Sequence, residues 1–174
     1  MEKLEIERRF LVRKSFSEKD LLKSLKYRIL HITQTYLRGK KKKGTRRIRL
    51  TQEIDKRSRY SLTIKLPTDN LIAKLENEWR ISKKKYLKFL KKSDPKRETI
   101  LKKRIVFIWK NQEFELDFFT APKRIASLVI LEIELKSRNQ KVQLPNFLPI
   151  RKEITNNPRY SNSNVARKKS RVRL

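Results

Sequence analysis

Eight carboxylates stand in four pairs, each pair two residues apart: Glu5 and Glu7, Glu76 and Glu78, Glu115 and Asp117, Glu132 and Glu134. Two pairs of cations repeat the spacing, Arg47 with Arg49 and Lys102 with Arg104. In a β-strand a separation of two puts both side chains on one face, so each pair concentrates one sign of charge. Carboxylates are hard oxygen donors that suit Mg²⁺ or Mn²⁺, ions that bind through a few carboxylates plus substrate phosphates. Guanidinium and ammonium groups hold phosphate oxygens, arginine by two parallel hydrogen bonds. A channel with acids on one side and bases on the other would hold a polyphosphate chain between them. Metal and guanidinium groups would stabilise the charge developing on the transferred phosphoryl group, and metal-activated water would be the nucleophile.

The composition agrees with that chemistry and removes several others. Among 174 residues there is one His, His31, and no Cys, which excludes a thiol nucleophile, a disulfide framework and catalysis built on several histidines. Water as nucleophile needs none of these. Forty-eight Lys and Arg against 18 Asp and Glu give a net charge of +30, which attracts nucleic acid, phosphorylated small molecules or an anionic membrane surface without choosing among them. No apolar N-terminal run resembles a signal peptide and no segment is long enough to span a membrane. The expected location is therefore cytoplasmic, with no membrane partner. His31 reads as an ordinary strand residue.

The elements that position the charged pairs follow from periodicity. Glu5, Glu7 and Arg9 alternate with Leu4, Ile6 and Phe10, so residues 4–12 read as a strand with one charged and one apolar face. A capping-box-like start at Ser15 to Glu18 and a face of Leu21, Leu22, Leu25 and Ile29 predict a helix over 17–29. Strands are expected over 31–37, 45–52, 60–66 and 74–81, with the polar stretch 53–59 as a hairpin connection and Pro67 as a stop. Ser82 can cap a basic helix carrying Tyr86, Leu87, Phe89 and Leu90, ending before Asp94-Pro95. Residues 99–109 and 113–119 form a hairpin about Lys110-Asn111-Gln112, and 122–128 a short helical piece. In the strand expected at 128–135, Glu132 and Glu134 interrupt an apolar run and need a partner. A last strand falls at 150–155, a short helix or loop runs from Pro158 to Ala166, and the basic tail 167–174 is expected to fray. A single domain covers 1–166.

About eight alternating strands with helices between some of them predict an α+β, mainly β fold: an eight-stranded antiparallel β-barrel, or tunnel, with a charged interior and peripheral helices. Strand faces turned to water carry mixed charges, because opposite neighbours support solubility and cross-strand pairing. Here the signs are sorted, and eight of only 18 acids lie in the four pairs. The sorted faces are therefore assigned to the interior.

At this point the residues resemble a family. Glu5-x-Glu7-x-Arg9 followed by Phe10-Leu11-Val12 is similar to the ExExK signature of the CYTH, or triphosphate tunnel metalloenzyme, superfamily. The resemblance continues in order through Gln34-x-Tyr36-Leu37, Arg47-x-Arg49, Leu62-Thr63-Ile64-Lys65, Lys74-x-Glu76-x-Glu78 and Lys102-x-Arg104. It ends with Phe114-Glu115-Leu116-Asp117, Leu131-Glu132-Ile133-Glu134, and Glu153-Ile154-Thr155 ahead of Arg159-Tyr160-x-Asn162. Each piece is weak alone, and their common order is what carries weight. The chain looks most like the compact bacterial members, which implies the eight-stranded barrel and Mg²⁺- or Mn²⁺-dependent hydrolysis of a triphosphate, inorganic tripolyphosphate first and nucleoside or thiamine triphosphate next. By position the resemblance implies Glu5, Glu7, Asp117, Glu132 and Glu134 as metal ligands. It implies Arg9, Arg47, Arg49, Lys65, Lys74 and Arg104 as substrate-binding residues, and Lys102, Tyr36 and Glu76 as the catalytic set.

Three positions depart from the family pattern: Arg9 stands for the signature Lys, Lys74 for a common Arg, and Thr35 for a Gly. Arg9 keeps the phosphate attraction and loses a group able to titrate, since arginine stays protonated. Two other functions compete. A class IV-type adenylyl cyclase would attack ATP with its own ribose oxygen, and no adenine-specific signature supports it. A non-enzymatic RNA- or polyphosphate-binding protein is suggested by the charge and by the lysine runs at 40–43, 83–85 and 91–92. The aromatics Tyr36, Tyr60, Trp79, Phe107 and Trp109 mostly occupy alternating apolar positions, which favours core packing over base stacking. Weak nucleic-acid association through the basic surface can coexist with enzyme activity, and the sequence is compatible with a homodimer.

Overall fold

The computed structural model describes residues 3–16, 18, 25–39, 44–66, 73–170 and 172, with residues 3–5, 73 and 74 described by their backbone alone. Nine strands form one antiparallel sheet: β1 (Lys3–Val12), β2 (Tyr27–Tyr36), β3 (Thr45–Glu53), β4 (Arg59–Leu66), β5 (Ala73–Arg80), β6 (Ile100–Trp109), β7 (Gln112–Ala121), β8 (Val129–Glu134) and β9 (Ile150–Glu153). Their order is β5-β4-β3-β2-β6-β7-β8-β1-β9, and β5 pairs additionally with β1. That pairing runs from Lys3 opposite Glu76 to Ile6 opposite Ala73, while β8 takes Glu7 to Leu11 of the same strand. The short β9 falls within the last strand expected, at 150–155, and pairs beside β1.

Alternation sorts the two faces of the sheet. Ile6, Phe10, Ile105, Phe107, Phe114, Leu116, Leu131 and Ile133 are buried together, with Leu135 and Leu148 from the segment between β8 and β9 packed onto them. The intervening residues of the same strands include Glu7, Arg9, Arg104, Glu115, Asp117, Glu132 and Glu134, so the opposite face is charged except where Val106 meets Leu30 and Ile32. A second cluster places Leu11, Ile130, Ile100 and Phe119 against Ile154, Tyr160, Val165 and Ala166 of the C-terminal segment. Burying these side chains at about 25 cal/mol per Å² is the dominant favourable term that holds the strands in register.

Over β3 and β4 lies α1 (Lys83–Leu90), whose Ser82 accepts a hydrogen bond from the Lys85 backbone N–H at 3.2 Å. This is the expected N-cap, worth about 1 kcal/mol. The buried Tyr86 ring stands 5.1 Å from that of Tyr60, centroid to centroid. Residues 123–125 make a single 3₁₀ turn, shorter than the helical piece expected over 122–128. After the 3₁₀ turn Pro158–Tyr160 comes α2 (Asn162–Val165), capped by Ser161.

The helix expected over 17–29 lies for most of its length outside the described residues. Glu18 is helical, but Tyr27, Arg28 and Ile29 belong to β2. Leu25 and Ile29 suit a helical face by spacing, yet the ladders to β3 and β6 claim the chain from Tyr27 onward. The start of the tail is tied rather than frayed: Arg167 forms a bridge with Arg97, and the Lys168 N–H donates to the Lys96 carbonyl at 3.2 Å. Among the described residues no helix is long and apolar enough to cross a membrane.

Candidate active site

Register on the charged face fixes which side chains can meet. Arg49 of β3 stands opposite Gln34 of β2 and Ser61 of β4, Lys65 of β4 opposite Glu76 of β5, and Arg104 of β6 opposite Asp117 of β7. Glu132 of β8 is opposite both Glu115 and Arg9, and Glu134 is opposite Glu7. These strands line a cavity of about 930 Å³. Glu7, Arg9, Tyr36, Arg47, Arg49, Lys65, Glu76, Arg104, Glu132 and Glu134 all line it, so ten of the fourteen expected site residues share one cavity.

On the basic side, Arg47 donates from Nη2 to Glu76 Oε1 at 3.1 Å, and the Lys65 ammonium is ion-paired with the other oxygen of Glu76. Arg49 is placed differently. Its Nη2 donates to Gln34 Oε1 at 3.1 Å, its Nε is buried without a hydrogen-bond partner, and among the described residues it has no carboxylate partner. Burial, reinforced by Arg47 and Arg104, lowers its pKa to about 10, which still leaves a full cation at neutral pH. Gln34 is wholly buried and donates from Nε2 to the Tyr36 hydroxyl at 3.1 Å. Burial raises the Tyr36 pKa against the pull of Arg47, Lys65 and Arg49, so the phenol stays protonated. The Arg97 guanidinium lies 5.0 Å from its ring centroid.

On the acidic side Arg104 is the hub. Its Nε and Nη2 reach the two oxygens of Asp117 at 2.7 Å each, Nη2 also donates to Glu132 Oε2 at 2.9 Å, and Nη1 is paired with Glu115. Lys102 also donates to Asp117, and neither side chain has any exposed surface. Lys102 and Asp117 therefore sit behind the cavity wall rather than on it. Burial, with Arg104 beside it, lowers the Lys102 pKa to about 8, against the opposing pull of Asp117 and Glu132. Burial alone would raise Asp117, but Arg104 and Lys102 outweigh it and hold the carboxyl well below its ordinary value. Glu132 is raised, by burial first and then by Asp117.

Arg9 turns away from the basic side. Its Nη1 donates to the Tyr160 carbonyl at 3.1 Å and its Nη2 to the Thr155 carbonyl at 3.0 Å, with Glu7 at 3.5 Å from Nε. Glu7 and Glu134 face each other across β1 and β8. The side chains of Glu5 and Lys74 lie outside the described residues, although their backbones are register partners. No group of three or more His, Cys, Asp or Glu among the described residues is placed to hold a metal ion. The sequence does not single out Gln34 or Thr63 as site residues. Both are wholly buried polar groups, and Thr63 donates to Glu78 at 2.6 Å. Alternation puts them on the charged face, but only register reveals their partners.

No protein-family model and no curated protein sequence matches the chain. Solved structures do. The inorganic triphosphatase NE1496 superposes with a TM-score of 0.57 at 23% identity, over 93% of each chain. The chain has the fold of that structure. A conserved hypothetical protein from Pyrococcus furiosus is similar at TM-score 0.53 and 19% identity, over 78% of this chain and 80% of its own. A chain of the Schizosaccharomyces pombe Mediator head module follows at 0.51 and 14%, over 81% and 86%. The resemblance to the triphosphate tunnel superfamily read from the sequence agrees with the first of these. The third shows that one fold serves proteins of different kinds, so the argument for function passes to the site.

Proposed function

We propose that the protein hydrolyses a triphosphate-containing substrate, inorganic tripolyphosphate above all, inside a tunnel that the β1–β5 pairing closes from eight strands. The observation that carries this reading is Arg49: a cation on the cavity wall with a neutral hydrogen-bond partner and, among the described residues, no ion-paired carboxylate. Glu78 and Glu115 act on it only from beyond ion-pair distance, burying a charge without a paired partner is costly, and an anion in the cavity would repay that cost. Arg47 and Lys65 stand beside it, and Glu76 gathers them to one place on the wall. Together these cations would hold the non-bridging oxygens of a condensed phosphate and orient its chain along the strands.

Arg104 has a different role in this reading. Glu115, Asp117 and Glu132 occupy its donors, so it fixes the direction of Glu132 and leaves little charge for substrate. Asp117 in turn holds Lys102 and Arg104. Tyr36, kept protonated and held by Gln34, offers a hydroxyl proton to a phosphate oxygen.

The donor set suits a hard divalent cation, Mg²⁺ or Mn²⁺. Glu7 and Glu134 are opposed in register, and Mg²⁺ is commonly held by one or two carboxylates while substrate phosphates complete its shell. Glu7 and Glu134 would hold it as a carboxylate pair, with substrate phosphates supplying the remaining oxygens. When bound, such an ion neutralises phosphate charge and activates water.

The test is phosphate release from tripolyphosphate, ATP and thiamine triphosphate with Mg²⁺, with Mn²⁺ and with chelator. Release from tripolyphosphate that requires either metal supports the proposal. A chain that binds tripolyphosphate under all three conditions and releases nothing is a binding protein.

A further inference from the structure

The charged face continues past Arg49 toward the turn between β3 and β4. Thr51, the next residue of that face on β3, is opposite Arg59 of β4, and Arg80 of β5 is opposite Ser61, which is itself opposite Arg49. Strand geometry sets these rows about 7 Å apart. Here a separate depression of about 230 Å³ is lined by Arg28, Arg57, Arg59, Arg80 and Lys56, with Glu53 the sole carboxylate among its lining residues. Glu53 is already engaged by Lys56 at 2.6 Å, and Arg28 has Glu113 at 3.8 Å. Among the described residues Arg57, Arg59 and Arg80 have no ion pair. Three exposed arginines thus line one depression whose single carboxylate, Glu53, is held by Lys56 and shared at longer range with Arg28 and Arg59.

We propose that this depression is a second phosphate-binding site, taking small inorganic phosphates such as orthophosphate or pyrophosphate independently of what the larger cavity binds. The guanidinium fork suits phosphate oxygens in pairs. No aromatic side chain lines the depression, so it offers bases nothing to stack on. That absence, with its small volume, favours a compact phosphate over a nucleic-acid strand. The inference does not rest on hydrolysis: it stands if the larger cavity turns over nothing.

The experiment is a calorimetric titration of the full chain with pyrophosphate at ~0.15 M salt, where long-range attraction is largely screened. Arg49→Ala serves as the background in which the larger cavity has lost its central cation. In that background pyrophosphate binding should persist, and adding Arg59→Ala with Arg80→Ala should weaken it by about tenfold or more. Adding Lys84→Ala with Lys88→Ala, which removes the same charge from the exposed face of α1, should change it less than about twofold. Equal losses from the two double substitutions would show a general field rather than a site and overturn the proposal. So would the absence of pyrophosphate binding in Arg49→Ala, or tighter binding of a single-stranded oligonucleotide than of pyrophosphate at the same residues.

Discussion

The Lys102 ammonium and the Asp117 carboxylate form an ion pair from which water is excluded on both sides. Arg104 donates to both oxygens of the same carboxylate, so Asp117 serves Lys102 and is one of three acids that meet Arg104. Removing one member of a buried pair leaves the others charged and unsolvated, at a cost of about 3–5 kcal/mol. Asp117→Ala should therefore lower stability by that amount in urea unfolding. Lys102→Met, which leaves Asp117 with Arg104, should cost clearly less.

The same cluster sets a pH dependence. Asp117 is held below its unfolded value, so its contribution is complete above about pH 4 and is lost as the pH falls through the depressed folded value. Lys102 works in the opposite range. Its folded pKa of about 8 lies below the unfolded value near 10.4, so the unfolded chain binds more protons between them and stability rises with pH across that window. Thermal unfolding from pH 3 to 10 should show both slopes, and Lys102→Met should abolish the alkaline one and weaken the acid one, which Arg104 alone then sustains.

How much of this is legible in sequence differs by level. The strands, their charged and apolar faces, and the N-cap at Ser82 follow from local spacing, and the structure places them accordingly. Who pairs with whom does not. The sequence suggests acids on one side and bases on the other, yet Glu76 is held between Arg47 and Lys65, and Asp117 between Lys102 and Arg104. Alternation fixes a residue's face, whereas cross-strand partners depend on register, which one-residue spacing cannot supply. Gln34 is the clearest instance. The family resemblance includes it in Gln34-x-Tyr36-Leu37 without assigning it a role, and its value lies in standing opposite Arg49.

Gln34 therefore tests the argument about Arg49. A carboxylate at that position would meet the guanidinium at 3.1 Å and satisfy it internally. Gln34→Glu should weaken tripolyphosphate binding about tenfold to a hundredfold, since charge-assisted hydrogen bonds are worth about 1.5–3 kcal/mol. Gln34→Ala, which leaves the charge uncompensated, should cost less in KM while lowering kcat through a less well-held Tyr36. Steady-state kinetics separates the two.

Arg9 ties the C-terminal segment to β1 through the carbonyls of Thr155 and Tyr160. Lysine cannot reproduce two directed donors on one plane. Arg9→Lys should loosen residues 155–166 by about 1–3 kcal/mol, seen as faster amide exchange at Ile154 and Tyr160 with little change around β3 and β4. Unchanged exchange there would move Arg9 from anchor to ligand.

The most direct test of the central claim is a crystal structure with tripolyphosphate bound. The account predicts phosphate oxygens within hydrogen-bond distance of Arg47, Arg49 and Lys65, with the chain running toward Glu7 and Glu134. Tripolyphosphate ordered only against the exposed lysines of α1, with the cavity holding none, would contradict it.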